Sequence, residues 1–315
     1  MPSTAATLTL LGTSCVTAAA VEQPMSALPL PAAVNSALQI GATVVVCALL
    51  LFLILVYVQP RWFMRLMVWG SHPSVLWCVS TTAKVCSLTI DDAPSANTPL
   101  LLDILKENNV KATFFIISSH IAGNEETVAR IVREGHTLGN HLTVDRASVL
   151  DELHVFEQKL KECDSAIRAY QPQAPAVREC FVGSAAVDRV ASIATQGKEA
   201  ETTRLLATEN STAANSATPM RWLRPASGWF TSSMREIIQS HGYRICLGSV
   251  YPHDAQIKSE ILNSLHLRTF TRNGSVIIVH DRAWTVGVLR TALPALTKSL
   301  TFVSLEELTL HEQRQ

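Results

Sequence analysis

The chain has 315 residues, enough for one large or two small domains with a sizeable core, and its formal net charge is zero with only 17% charged residues. That balance excludes the basic surplus of a nucleic-acid binder, while a hydrophobic share of 48% and a positive mean hydropathy point to a membrane segment. The seven Cys show neither CxxC pairs nor regular spacing, so no zinc ribbon or disulfide framework is indicated, and the odd number leaves at least one thiol free.

Residues 1–37 carry Glu22 as their only charged side chain and are rich in Ala, Ser, Thr and Pro. No positive n-region precedes Leu8–Leu11, so this stretch reads as a disordered tail. Residues 38–58 are apolar apart from Gln39 and Thr43, about the 20 residues a helix needs to cross a bilayer. Pro60 closes the span, and residues 59–83 form a juxtamembrane linker. Its Arg61–Trp69 piece, with arginines four apart and aromatics between them, suits the membrane interface. The expected location is a single-pass membrane, either endomembrane or cell surface, with the bilayer as a partner. Orientation cues conflict, because the flanking arginines favour a cytoplasmic domain and the sequons at Asn210 and Asn273 a lumenal or extracellular one.

Beyond Lys84 short apolar runs alternate with helical spacing, the pattern of a parallel α/β sheet or barrel. Val85–Ile90 reads as a buried strand ending in Asp91-Asp92. Predicted helices follow at Thr98–Asn109, Glu125–Glu134 and Val149–Tyr170, with strands at Ala112–Ile117 and His136–Leu138. Residues 171–219 break the rhythm and read as a disordered insertion. Regular structure resumes with Arg221–Pro225, helix Thr231–His241, strand Tyr243–Leu247, strand Ser275–Val279, helix Val286–Leu296 and strand Thr301–Val303, after which the chain ends polar. Strand ends and the loops after them collect Asp91, Asp92, His141, Asp145, Arg224, His253, Asp254, His280 and Asp281. Such loops converge on one face of a barrel, and convergent Asp and His residues are what a divalent metal needs.

Thr89-Ile90-Asp91-Asp92-Ala93-Pro94 resembles the TFDDGP signature of the polysaccharide deacetylases with a NodB-type domain, carbohydrate esterase family 4, which includes chitin and peptidoglycan de-N-acetylases. Lys111–Phe115, Gly135–His141, Leu223–Trp229 and Val276–Asp281 resemble four further motifs of that family, in the family's order, within residues 84–310. The resemblance implies a distorted (β/α) barrel, preceded here by the transmembrane helix. It implies a hydrolase acting on carbon–nitrogen bonds, which removes N-acetyl groups from an amino-sugar polymer or oligosaccharide such as chitin. In it Asp91 is the general base, Arg224 orients Asp91 through a bidentate pair, and His280 protonates the leaving amine. Asp92 and His141, with Asp145, hold one divalent metal ion such as zinc, cobalt or manganese. Pro225, Ser227, Trp229 and Trp284 contact the sugar.

Three departures stand out. Asp145 replaces the family's second metal-binding His, at a spacing of four that keeps both side chains on one face of a helical turn. The set becomes harder and more negative, tilting it away from zinc, with Arg146 placed to offset the charge. Ala93 replaces a Gly. Tyr251-Pro252-His253-Asp254 stands where the family has an aromatic–Asp motif that tunes the histidine acid. Two rival functions remain: another amide or cyclic imide hydrolase on the same fold, and a non-catalytic carbohydrate-binding or scaffold membrane protein.

Overall fold

In a computed structural model the structure describes residues 32–171 and 221–312. The expected tail up to residue 31 and nearly all of the expected insertion lie outside them. The described chain falls into two units, residues 1–51 and 52–315, with the first described from Ala32 onward. Helix α1, Ala32–Val58, starts inside the stretch read as tail. Its residues 36–58 make the one helix among the described residues long and apolar enough to cross a membrane, with mean hydropathy 2.8 and none of that window buried.

In the second unit Pro60 starts helix α2, Arg61–Gly70, where its fixed φ suits a first turn. Met64 is buried, while Trp62, Leu66 and Trp69 are exposed. Strand β1, Val75–Leu76, then pairs with β6, Tyr243–Cys246, so the segment expected as a linker supplies an edge of the sheet. Strand β2, Val85–Ala93, is buried over its whole length. That is the signature of a central parallel strand covered on both faces, and it explains the unbroken apolar run. Strands β3, Ala112–Ile116, β4, Thr137–Asn140, β5, Arg221–Leu223, β7, Val276–His280, and β8, Thr301–Phe302, complete an all-parallel sheet. Its order is β1-β6-β5-β4-β3-β2-β7, with β8 added beside β2. The two ends of the sheet meet only through isolated bridges, Cys78 to Ser275 and Val250 to Ile277, so the barrel is curled and distorted as expected.

Helices α3, Thr98–Glu107, α4, Glu125–Arg133, α5, Leu153–Arg168, and α6, Ser232–Ser240, lie within the predicted spans. Two helices were not anticipated, α7, Glu260–Phe270, and the C-terminal α9, Leu305–Leu310; α8, Ala283–Leu296, begins three residues early. Register then decides which side chains meet. Asp91 pairs with His280 across β2 and β7, and Asn140 with Leu223 across β4 and β5. His141 and Arg224 therefore emerge side by side at the next positions.

Candidate active site

Both carboxylates of the Asp91-Asp92 pair line a single cleft of about 890 Å³ at the C-terminal strand ends. Simple strand alternation would turn them to opposite faces of the sheet. A bulge between Ile90 and Ala93, with Asp92 in the left-handed region at φ 64°, turns the second one back. Asp92 rather than Ala93 takes the unusual backbone conformation, so Ala in place of Gly is accommodated. Left-handed non-glycine backbone concentrates here. Of six such residues described, Gln59, Asp92 and Ser227 line the cleft, and Leu142 and His253 adjoin His141 and Asp254. Each costs on the order of 1 kcal/mol and persists where the surroundings impose it, as at functional sites.

Arg224 is buried and its nitrogens are all engaged. Nη1 donates to Asp91 Oδ1 and to Thr89 Oγ1 at 2.9 Å, Nε to the Cys246 carbonyl at 2.9 Å, and Nη2 to the Leu247 carbonyl at 3.4 Å. The expected bidentate pair is thus a single contact, because backbone carbonyls of the β6 end take the other donors. The guanidinium rests on the Phe115 ring, 4.2 Å from its centroid. A side chain on Gly139 would come within 2.6 Å of that ring, which is why Gly is needed there.

His141 Nδ1 lies 2.7 Å from the Arg224 carbonyl, an acceptor only, so Nδ1 carries hydrogen and Nε2 faces Asp92 Oδ1 at 3.5 Å. Burial disfavours charge on His141, but Asp91 and Asp92 outweigh it and raise its pKa. Burial likewise works against charge on Asp92, yet the hydrogen bond to His141 and the charges of His141, His280 and Arg282 bring it down to about 2. Asp145 does not sit on a helical turn with His141, because Leu142 at φ 66° diverts the chain. Its carboxylate is 59% exposed. Arg146 turns to Asp151 instead of offsetting this charge. Arg282, which the sequence did not single out, does so: Nη2 lies 2.6 Å from Asp92 Oδ2 and 3.4 Å from Asp145 Oδ2.

The resemblance implies one divalent ion here. Two acceptors facing each other, Asp92 Oδ1 and His141 Nε2, call for a cation or a proton between them, so donor types and tautomer fit such an ion at these residues. Asp145 is available as a third donor, through a carboxylate oxygen now held by Arg282. Among the described residues no three His, Cys, Asp or Glu side chains already converge to hold a metal.

His280, in register beside Asp91, also lines the cleft. Asp254 accepts from its ring Nδ1 at 2.9 Å and from its backbone N–H at 2.7 Å, and Thr285 Oγ1 adds a third contact to that carboxylate at 3.2 Å. Burial opposes charge on His280, but the Asp254 bond and the charges of Asp91, Asp254 and Asp92 overcome it and raise its pKa. Asp254 therefore supplies the histidine partner that the departure at Tyr251–Asp254 left in question. Tyr251 packs near the imidazole, 5.6 Å between centroids, and its backbone N–H donates to Gln59 Oε1 at 3.0 Å. Pro225, Ser227 and Trp229 line the cleft, with Trp229 largely exposed on its rim. Trp284 is not among the lining residues; its indole donates to the Asp254 carbonyl at 2.8 Å and so holds the loop behind His280. Asp281 also turns away, accepting from Ser95 and Thr98.

These features define a parallel α/β barrel with paired carboxylates and histidines gathered at one end. A sequence model of the family described as polysaccharide deacetylase matches residues 79–246, and the chain belongs to that family. It is 34% identical over 87 residues to a chitooligosaccharide deacetylase of Rhizobium leguminosarum bv. trifolii, covering 27% of this chain and 40% of that one. It is also 34% identical over 100 residues to a peptidoglycan-N-acetylglucosamine deacetylase of Bacillus cereus, covering 28% and 47%. The chain thus spans less than half the length of these curated relatives. A CE4 family pseudoenzyme from Bacillus anthracis shares the fold, with TM-score 0.58 at 18% identity over 78% of this chain and 73% of that one.

Proposed function

We propose that the chain is a membrane-anchored deacetylase that hydrolyses the N-acetyl amide of an amino-sugar polymer or oligosaccharide such as chitin. The observation that carries this reading is one cleft lined by Asp91 on Arg224, by His280 on Asp254 in register beside Asp91, and by Asp92 facing His141. Asp91 accepts the proton of the attacking water, and Arg224 fixes the carboxylate and offsets its charge in a dry setting. His280, kept protonated by Asp254, gives its proton to the departing amine nitrogen. Asp92 and His141, with Asp145, would hold a divalent ion, which would supply polarisation of the acetamide carbonyl and a lowered pKa of water. The harder donor set tilts preference from zinc towards harder divalent ions such as manganese. Trp229 offers a flat apolar face for a sugar ring, and α1 is the anchor. The alternative of a small-amide or cyclic imide hydrolase is disfavoured by the size of the cleft.

The test is acetate release from chito-oligosaccharides by the full chain in detergent with added Co²⁺, Mn²⁺ or Zn²⁺. Lack of turnover with all three would sink the proposal. A raised pKa means that His280 loses its proton only above its ordinary range, so the alkaline limb of kcat reports it. Asp254→Asn is expected to move that limb to lower pH, measured as a kcat–pH profile; an unmoved limb would remove Asp254 from this role. Gln59→Ala, which frees the Tyr251 N–H and opens the cleft wall, is expected to lower kcat about three- to tenfold, in line with one lost hydrogen bond, and Gln59→Glu, which keeps the acceptor, should restore most of it.

A further inference from the structure

We infer that Arg282 is a built-in counter-cation of the candidate metal site, competing with a divalent ion for Asp92 and Asp145 and so setting its affinity. The inference rests on the metal reading of that cleft. Arg282 Nη2 contacts one oxygen from each carboxylate, 2.6 Å from Asp92 and 3.4 Å from Asp145. These are two of the three oxygen- or nitrogen-bearing side chains that the site offers to an ion. Asp92 keeps its second oxygen turned to His141, so one corner of the site stays open while the other is closed by the guanidinium.

Charge accounts for the arrangement. A ligand set with Asp in place of a neutral His carries one more negative charge, and Asp91 adds another beside it. Arg224 balances Asp91, and Arg282 offsets one of the two charges of Asp92 and Asp145. Arg stays protonated under all working conditions, so this cation is present in the ion-free site at every working pH. A dication entering the site must either repel this guanidinium or displace it. The side chain is 30% exposed and reaches the cleft from the start of α8, so it has solvent to move into. Asp145, also largely exposed, is the weaker of its two contacts and the first to be released.

The experiment is calorimetric titration of the full chain in detergent micelles with Co²⁺ alone, comparing wild type with Arg282→Met and Arg282→Lys. Removing a unit charge that contacts two of the proposed ligands is expected to tighten Kd by about tenfold or more in Arg282→Met. Arg282→Lys keeps the charge but loses the fork, and should fall between the two. The d–d absorption of bound Co²⁺ gives a second readout, and circular dichroism checks that both variants fold. Equal or weaker binding by folded Arg282→Met would overturn the inference while leaving the metal site standing. No binding by any of the three chains would overturn both.

Discussion

Replacing Asp91 by Asn is expected to lower kcat for acetate release by about 10²- to 10⁴-fold, the usual worth of a positioned general base. The amide oxygen can still accept from Arg224 Nη1, and Arg224 keeps its bonds to Thr89 and the β6 carbonyls, so the variant should fold, with a thermal midpoint lowered by the loss of the buried counter-charge. Asp91 is not in the donor set, so Co²⁺ should still bind, with an affinity weakened only by the loss of a neighbouring negative charge. Steady-state kinetics with calorimetry on the same preparation separates the two. A loss below tenfold would show that another group takes the proton, and loss of Co²⁺ binding would mean that Asp91 and Asp92 had been assigned the wrong way round.

The second large effect is on stability. Arg224→Ala leaves Asp91 buried without its cation and strips donors from the carbonyls of Cys246 and Leu247. Breaking a buried ion pair from one side costs about 3–5 kcal/mol. In a domain of this size that should lower the midpoint by on the order of 10 °C, measured by a thermal melt followed by circular dichroism. Arg224→Lys should recover little, because one ammonium cannot reach the carboxylate, Thr89 and the carbonyls of β6 together. Unchanged melting would mean that the pair contributes nothing net. Both effects arise from the register that seats His141 beside Arg224 and Asp91 beside His280.

Much of this was legible in advance because it is carried by contiguous motifs. Buried parallel strands read as apolar runs, and their polar ends name Asp91, Asp92, His141, Arg224 and His280. Asp254, Arg282 and Gln59 were harder to assign for three different reasons. Asp254 stood among the strand-end residues, but only the loop held by Trp284 brings it to His280 from 26 positions away. Arg282 follows the histidine motif directly, and its target depends on where Leu142 sends Asp145. Gln59 lies between an apolar span and a helix, with no local signal of a cleft. Helix α7 went unread because its pattern is inverted: Asn263, Ser264 and His266 are buried while Ile261, Leu262 and Leu265 face outward. A hydrophobic stripe aimed at the core is what periodicity detects, and here the stripe points the other way.

The segment between the apolar helix α1 and strand β2 bears directly on how the protein can be handled. A fragment cut at residue 80 would retain all five family motifs, yet it would lack β1, leaving the β6 edge without its partner along Ile245–Cys246. An uncovered edge strand recruits other chains, so such a fragment should aggregate. It would also lose Gln59 behind Tyr251 and the ring of Tyr57 that lies against His253 and His266. The smallest workable piece therefore starts ahead of Tyr57, so the last turns of the apolar helix α1 belong with the fold that carries the cleft and trimming cannot divide the two.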